Sequence, residues 1–509
     1  MDKILILDFG GQYTQLIARR VRELNVYSEI VDYDISVDDI KKINPKGIIL
    51  SGGYDSVYIK DSIKPNKEIW NLNIPILGIC YGFQVMSEMN GGTVENDKNS
   101  EEYGLTNIQI KENELSENID MNQICWMSHA DSVTKLANDF ENIAQTQKCL
   151  NASAYNKDKK WYGVQFHPEV TQTLFGQQMI KNFVVNICNA KQEWKSDNFI
   201  NNEVINIKQT VNDDLVLCAI SGGVDSLVAA ALTHKAIGDK LYCVFVNHGL
   251  LRKNEVEEVT KILNEVIGQN IFVEDASELF LSRLKGVEDP EQKRKIIGST
   301  FIDVFENVSK KLKKDFKWLL QGTIYPDIVE SGTKLSKTIK SHHNVGGLPE
   351  KLGFKLLEPM KYLFKDEVRN IGIKLNIPKS HVNRQPFPGP GLAVRIIGEI
   401  TKEKISILQE ADYIYREKVA SKFSENPPWQ YFAVLTNSNT VGVVGDNRVY
   451  GYTLALRAVD TMDAMSAQWY KFPLEFLQDV STTICNKLPM INRVVYDITN
   501  KPPGTIEWE

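Results

Sequence analysis

Cysteine is sparse and scattered: seven residues (Cys80, Cys125, Cys149, Cys188, Cys218, Cys243 and Cys485) in 509, with no C-x-x-C pair and no clustering. That spacing excludes a disulfide framework and a cysteine-built metal site. Uninterrupted apolar runs long enough to span a bilayer are missing as well. The strand expected over Lys3–Asp8 is preceded by no basic region, apolar signal core or cleavage site, and a reducing cytoplasm is the setting these features imply. Charge of one sign is also lacking, with a formal net charge of -6 and a pI near 5.8. This balance excludes a sequence-independent nucleic-acid surface and favours small anionic substrates, while leaving room for a local basic phosphate site.

What is present is an ordinary globular composition, 42% apolar and 24% charged, in a chain long enough for about three domains. Short apolar runs such as Gly47–Leu50, Pro75–Ile79 and Gly163–Phe166 read as buried strands, and Leu16, Ile17, Val21 and Leu24 share one helical face between two of them. This is an α/β layer pattern. The polar, Asn-rich stretch Asn189–Val211 is expected to be a linker. A βαβ unit follows, in which strand Leu215–Ile220 runs into a glycine turn and a helix before strand Leu241–Val246. Arg384–Leu392, rich in Pro and Gly, marks the next boundary. The expected domains are 1–190, 191–384 and 385–509.

Gly78-Ile-Cys80-Tyr-Gly82 directly follows an apolar run, which predicts a thiol on a tight strand-to-helix turn with backbone N–H groups aimed at an oxyanion. Alone, such a cysteine is ordinarily a small core residue. Gly163-Val-Gln-Phe-His167-Pro-Glu169 adds an imidazole and a carboxylate two residues apart; an imidazole can lower a thiol pKa and relay its proton, and a carboxylate can orient the ring. Separately, His167 reads as a turn histidine and Glu169 as a solvated charge; together with Cys80 they form a triad.

With Asp8-Phe-Gly-Gly-Gln12, Ser51-Gly-Gly53 and Trp126-Met-Ser-His-Ala-Asp131, these residues resemble the class I glutamine amidotransferase family across the whole first domain. The resemblance implies that Cys80 attacks the glutamine carboxamide, His167 shuttles the proton and Glu169 supports it. It also implies oxyanion N–H groups at Gly53 and Tyr81, a place for Gln84 in the glutamine pocket, and structural or coupling roles for His129 and Asp131. The chain departs from the family pattern at Tyr54, where proline normally follows Ser-Gly-Gly, and at Ala130, where glycine is common.

Ser221-Gly222-Gly223-Val224-Asp225-Ser226 is neither a Walker A loop nor a dinucleotide turn. Its glycines expose backbone N–H groups, its serines add donors, and the helix behind it presents its positive end, a combination suited to pyrophosphate. Asp225 is the candidate Mg²⁺ ligand. The six residues resemble the signature of the ATP-pyrophosphatases, which adenylate an oxygen and release pyrophosphate. That signature is shared by enzymes with several acceptors, so the loop gives the reaction class alone.

Four later segments carry the acceptor: Asp289–Gly298, Ile324–Ser331, Ile339–Pro349 and Lys501–Glu509. In order, and over the full chain, they resemble the glutamine-hydrolysing GMP synthase family. The fold this implies is α/β throughout: an amidotransferase domain, an adenine-nucleotide α-hydrolase-like ATP-pyrophosphatase domain with a parallel sheet, and a C-terminal α+β dimerisation domain. Lys293, Arg294 and Lys295 read as a solvated helix face or a phosphate-facing lid. Asp327 and Glu330 share a face if their segment is helical, and the resemblance places them with Lys340 in the activation chemistry. Adjacent His342 and His343 lack partners at ligand spacing and are expected to be structural. The same resemblance assigns Arg294, Gln430, Arg493, Lys501, Ile506 and Glu507 to xanthosine 5′-monophosphate (XMP), with Lys501 for its phosphate and Glu507 for its ribose.

It further implies XMP, ATP and glutamine as small-molecule partners, Mg²⁺ with ATP, a homodimer, and neither a nucleic-acid nor a membrane partner. Asn247 stands where the family usually has Asp. Two other readings stay open at this point: the same machinery on another acceptor, such as a nicotinate nucleotide or a tRNA base, and a regulatory binding protein with a silenced glutaminase. Tyr54, Ala130 and Asn247 motivate the latter, and the retained triad and loop oppose it.

Overall fold

The computed structural model describes residues 1–96, 100–332, 353–461 and 466–509. They form two compact units, the first built on Met1–Phe199 and the second on Ile200–Asp327 together with the C-terminal residues through Glu509. Among the described residues no helix is long and apolar enough to cross a membrane.

In the first unit the strands are β1 (Lys3–Phe9), β2 (Tyr27–Asp32), β3 (Gly47–Gly53), β4 (Ile76–Ile79), β5 (Thr93–Asn96), β6 (Glu102–Ile110), β7 (Asn122–His129), β8 (Asp131–Lys135), β9 (Glu141–Gln145), β10 (Ser153–Asn156) and β11 (Trp161–Val164). Nine of them form one sheet in the order β2-β1-β3-β4-β11-β10-β9-β6-β7, and β5 pairs with β8 in a separate ribbon. The half from β2 to β11 is parallel; its inner strands β1, β3, β4 and β11 are largely apolar and buried, as strands covered on both faces are, while the edge strand β2 is half-buried and carries Ser28, Glu29 and Asp32. Parallel pairing puts the carboxyl ends of β1, β3, β4 and β11 along one edge. The register aligns Ile79 with Val164 and Phe9 with Gly53.

The second unit contains an all-parallel sheet in the order β14-β13-β12-β15-β16, from β12 (Leu215–Ile220), β13 (Leu241–Asn247), β14 (Ile271–Asp275), β15 (Phe316–Leu320) and β16 (Lys355–Leu357). Its first crossover helix, Val224–Ile237, is buried on nearly every face by Ala, Val and Leu. Towards the C-terminus, the long hairpin β17 (Gln430–Val444) and β18 (Asn447–Asp460) is joined by β19 (Gln468–Trp469) and β20 (Ile491–Asp497). The expected 384/385 boundary falls inside this unit, where one apolar core runs from Leu217 to Ile491.

The stretch expected as a linker is for most of its length the helix Ser196–Val211. Ile200, Ile207 and Val211 are buried, whereas Asn201, Asn202 and Asn206 are exposed. The apolar stripe is a single narrow line, and the Asn-rich remainder hid it.

Gly82 shows how tightly the first unit is packed at its functional edge. A methyl group there would come within 2.3 Å of the Leu50 carbonyl oxygen on β3. Gly82→Ala is therefore expected to destabilise the first unit by about 1–3 kcal/mol, read as a lower urea midpoint for its unfolding transition. An unchanged midpoint would show that the helix after β4 can withdraw from the sheet.

Candidate active sites

Cys80 sits between β4 and the helix Tyr81–Met89, with φ +52° and ψ −107°. A non-glycine residue in that region is strained. It is held there because its N–H bonds to Val164 O at 2.7 Å while its carbonyl accepts from Phe83 and Gln84 N–H. The strain lifts the thiol off the strand end and starts a helix immediately behind it, as a nucleophile turn requires. The β4–β11 register sets Gln165 beside it, and Gln165 Nε2 reaches Cys80 Sγ at 3.6 Å.

Two residues further, His167 faces Cys80, and its Nδ1 lies 2.8 Å from Glu169 Oε1. Glu169 is fully buried. Arg20 Nε donates to its carbonyl at 2.8 Å, and Thr173 Oγ1 fixes the His167 carbonyl at 2.7 Å. The edge of Tyr13 stands against the imidazole, ring centroids 5.1 Å apart. Burial works against the imidazolium, but the Glu169 carboxylate and hydrogen bonding with Cys80 outweigh it and hold the His167 pKa well above its ordinary value. The arrangement can therefore keep a proton on the imidazole beside a thiolate.

The Gly52–Gly53 turn closes over this pair. A methyl group at Gly52 would lie 3.5 Å from His167 Cε1, and one at Gly53 would strike the Tyr81 ring at 2.8 Å. The Gly52 distance is an ordinary contact, whereas at position 53 only glycine allows the backbone this close, which brings Gly53 alongside the residue that follows the nucleophile. Gln84 is buried, and its amide Nε2 bonds to Asp131 O at 2.8 Å and Gln165 Oε1 at 3.4 Å. Gln165 itself was not singled out from the sequence, since only its neighbours carried a recognisable pattern.

In the second unit the turn Ser221–Gly223 leaves β12, with Gly222 at φ +77°, and enters the helix Val224–Ile237. Ser221 and Ser226 hydroxyls lie 3.1 Å apart, and Ser226 Oγ donates to Gly223 O at 3.1 Å. Lys365 Nζ donates to Asp225 Oδ2 at 2.5 Å, while Asp225 Oδ1 is buried without a hydrogen-bond partner. A buried carboxylate oxygen left open beside glycine N–H groups fits a hard divalent cation carried by a polyphosphate. Arg384 braces the turn by donating to Gly222 O at 2.9 Å and pairing with Glu255. Asn247, the departure from the family pattern, accepts from Gly249 N at 3.0 Å, a turn its amide oxygen makes as an Asp oxygen would.

Asp327 lies on the helix Tyr325–Gly332, so the conditional i, i+3 spacing is met by the backbone; its Oδ2 accepts from Ile324 N at 3.0 Å. The Glu330 side chain, Lys340, His342 and His343 lie outside the described residues.

The C-terminal tail assembles most of the remaining candidates. Arg395, fully buried and 3.9 Å over the Phe432 ring, holds Glu507 by two bonds of 2.9 and 2.7 Å. Gln430 Nε2 donates to the same carboxylate at 2.9 Å, and Ile506 packs on Phe432, Val434 and Ala455. Arg294 Nη2 reaches Glu509 O at 2.6 Å, and buried Lys293 bonds Glu509 Oε2 at 2.5 Å. The basic cluster is thus neither a purely solvated face nor a free lid, because two of its members grip the tail. Lys501 pairs with Ala467 through backbone bonds. Arg493 stands exposed on β20 opposite Thr453 and, among the described residues, shares no hydrogen bond or ion pair with this group. Lys365, Arg384 and Arg395 are functional-site neighbours that sequence reasoning missed.

The strained Cys80 turn, its imidazole–carboxylate partner and the mixed sheet define a class I glutamine amidotransferase unit, and the model of the family described as glutamine amidotransferase class-I matches residues 5–187. A second family model, the GMP synthase C terminal domain, matches residues 417–508. Over 511 aligned residues the chain is 70% identical to the glutamine-hydrolyzing GMP synthase of Malacoplasma penetrans strain HF-2, with all of both chains covered. It is 54% identical to the Clostridium tetani enzyme of the same name (strain Massachusetts / E88) and 53% identical to that of Bacillus licheniformis (strain ATCC 14580), covering all of this chain and 99% of each relative. The chain belongs to the glutamine-hydrolysing GMP synthase family.

Glu169→Gln removes the charge that supports the His167 proton, so the imidazole gives it up at lower pH. The His167 titration midpoint, followed by the NMR shift of its Cε1–H, should move down by about one pH unit or more; an unmoved midpoint would mean that Glu169 only orients the ring.

Proposed function

We infer that this chain makes GMP: ammonia released from glutamine at Cys80 aminates XMP that ATP has activated, with AMP, pyrophosphate and glutamate as the other products. The observation that carries this reading is one polypeptide holding both a buried Cys80–His167–Glu169 constellation and a Ser221–Ser226 turn at a helix N-terminus. Other acceptors for the same loop, a nicotinate nucleotide or a tRNA base, are not favoured. A silenced glutaminase is opposed by the intact thiol–imidazole–carboxylate geometry.

In the first half-reaction, His167 takes the Cys80 proton and the thiolate attacks the glutamine carboxamide. Gly53 and Tyr81 N–H groups receive the oxyanion. His167 then gives its proton to the departing ammonia, and water releases glutamate from the thioester. Glu169 keeps the imidazolium stable while the thiolate exists.

In the second, backbone N–H groups of Gly222, Gly223 and Val224, with the Ser221 and Ser226 hydroxyls, cradle the ATP phosphates. The XMP C2 oxygen attacks the α-phosphorus, pyrophosphate leaves, and the oxygen becomes part of a good leaving group, AMP. Mg²⁺ held by Asp225 would neutralise charge on the departing pyrophosphate. Asp327, Glu330 and Lys340 act in this activation. Arg294, Gln430, Arg493, Lys501, Ile506 and Glu507 hold XMP, with Lys501 on its phosphate and Glu507 on its ribose. Ammonia then displaces AMP from C2.

A homodimer and a cytoplasmic setting belong to the same reading. The exposed apolar side chains of Val443, Val444 and Tyr450 on the β17–β18 hairpin and of Val495 and Ile498 around β20 support an interface in the last third of the chain.

Cys80→Ala is expected to abolish glutamine-dependent GMP formation while leaving synthesis from added ammonium salts within about twofold of wild type, since the two chemistries use separate residues. Equal loss of both, or no GMP from XMP with either nitrogen source in the unaltered chain, would overturn the reading. Glu507→Gln should raise the KM for XMP about tenfold or more, the scale of a charge-assisted hydrogen bond. An unchanged KM for XMP would remove Glu507 from the nucleotide site.

A further inference from the structure

The loop that carries Gly53 is tied down at one carboxylate. Asp131 Oδ2 accepts from Ser56 Oγ at 2.5 Å, and Oδ1 accepts from Tyr58 OH at 3.1 Å and Asn96 Nδ2 at 3.0 Å. Ser56 and Tyr58 lie three and five residues beyond Gly53, so these bonds fix the chain just past the oxyanion turn. Asp131 is buried, and its position is set from behind. Gln84 Nε2 donates to its carbonyl at 2.8 Å, and His129 Nδ1 lies 3.0 Å from the same oxygen. Gln84 is on the helix that begins at the nucleophile turn, one helical turn after Cys80. Asp131 therefore joins the two segments whose N–H groups must converge on one oxyanion: the Gly53 loop through its carboxylate and the Cys80 helix through its carbonyl.

The loop needs such a tie in this chain. Tyr54 follows Gly53 and is 65% exposed. It lacks the fixed φ that a proline would impose, so the loop has more conformations to lose when it is ordered. Charge-assisted bonds to a buried carboxylate supply the missing constraint.

We propose that Asp131 is a positioning residue for glutamine hydrolysis, holding the Gly53 N–H in line with the Tyr81 N–H. It touches neither the thiol nor the imidazole. Its loss should raise the barrier to acylation, in which an oxyanion forms, and leave alkylation of Cys80 by iodoacetamide unaffected, because that displacement forms none. This inference rests on Cys80 as nucleophile and on Gly53 and Tyr81 as oxyanion donors.

The test uses the full chain with XMP and ATP present. Asp131→Asn, and separately the pair Ser56→Ala and Tyr58→Phe, which cuts the same ties from the loop side and leaves the buried residue in place, should each lower kcat for glutamine hydrolysis. The expected loss is about tenfold to a hundredfold, the scale of a displaced oxyanion donor. KM for glutamine, the Cys80 alkylation rate and ammonium-dependent GMP formation should each stay within about twofold, as expected when only transition-state stabilisation is lost. Unchanged kcat in the double variant overturns the proposal, as does alkylation falling in step with kcat, which would place the effect on the thiol–imidazole pair or on folding. Failure of the underlying reading looks different: Cys80→Ala would then still hydrolyse glutamine.

Discussion

Parallel pairing between β4 and β11 is the constraint on which the first site depends. Aligning Ile79 with Val164 brings two strand ends side by side, so Cys80 and the segment reaching His167 emerge together although 87 positions separate them in sequence. The Cys80 N–H bond to Val164 O is the last rung of that ladder, and it fixes the strained backbone from which the thiol projects. The β1–β3 pairing does the same for the Gly52–Gly53 turn. A shift in either register would separate the thiol from its imidazole or from its oxyanion donors. The second unit repeats the device, since its phosphate turn also leaves the carboxyl end of a parallel strand, where neighbouring loops diverge and leave a crevice.

Placing charge at these edges requires partners, because a buried ion without one costs several kcal/mol. The two units meet that requirement in different ways. In the first, His167 and Glu169 form a pair whose electrostatics serve a thiolate. In the second, buried cations are spent on the tail: Lys293 on Glu509, Arg395 on Glu507, and Arg457 on the carbonyls of Thr499 and Thr505 at 2.5 and 3.0 Å. The fully buried guanidinium of Arg395 is satisfied chiefly when Glu507 lies in place, so the tail's fold and the readiness of the nucleotide site are one property.

Much of this was legible in the sequence wherever the chemistry is local. The Cys80 turn, the His167–Glu169 spacing and the Ser221–Ser226 loop each consist of neighbours, and backbone geometry follows from glycines flanking a strand end. What could not be read is what partners across distance. Lys365 meets Asp225 from 140 positions away, and Arg395 meets Glu507 from 112; neither lysine nor arginine carries a local pattern that announces a partner. Lys293 misled for a related reason. A run of three basic residues on a helix normally faces water, but here the tail supplies a carboxylate and residues 393 and 396 supply carbonyls to bury one of them. The helix Ser196–Val211 was hidden because three apolar residues suffice for its buried stripe.

The tail also shows how an already engaged carboxylate can still serve a ligand. An ionised carboxylate offers about four lone-pair directions. Arg395 occupies two at Glu507, one on each oxygen, and Gln430 takes a third. One direction is left, which is enough for a ribose hydroxyl to donate into. The protein bonds hold the carboxylate rigid, so the ligand meets an acceptor that has already lost its side-chain freedom. A loose Glu507 would have to be ordered at the moment of binding, and part of the interaction would be lost to that entropy. The same reasoning applies at Glu169 and Asp131, where carboxylates are buried and bonded before any substrate arrives. Preorganisation by carboxylates engaged before any ligand arrives is thus the common device of the two units, applied to an imidazole, a loop and a nucleotide tail.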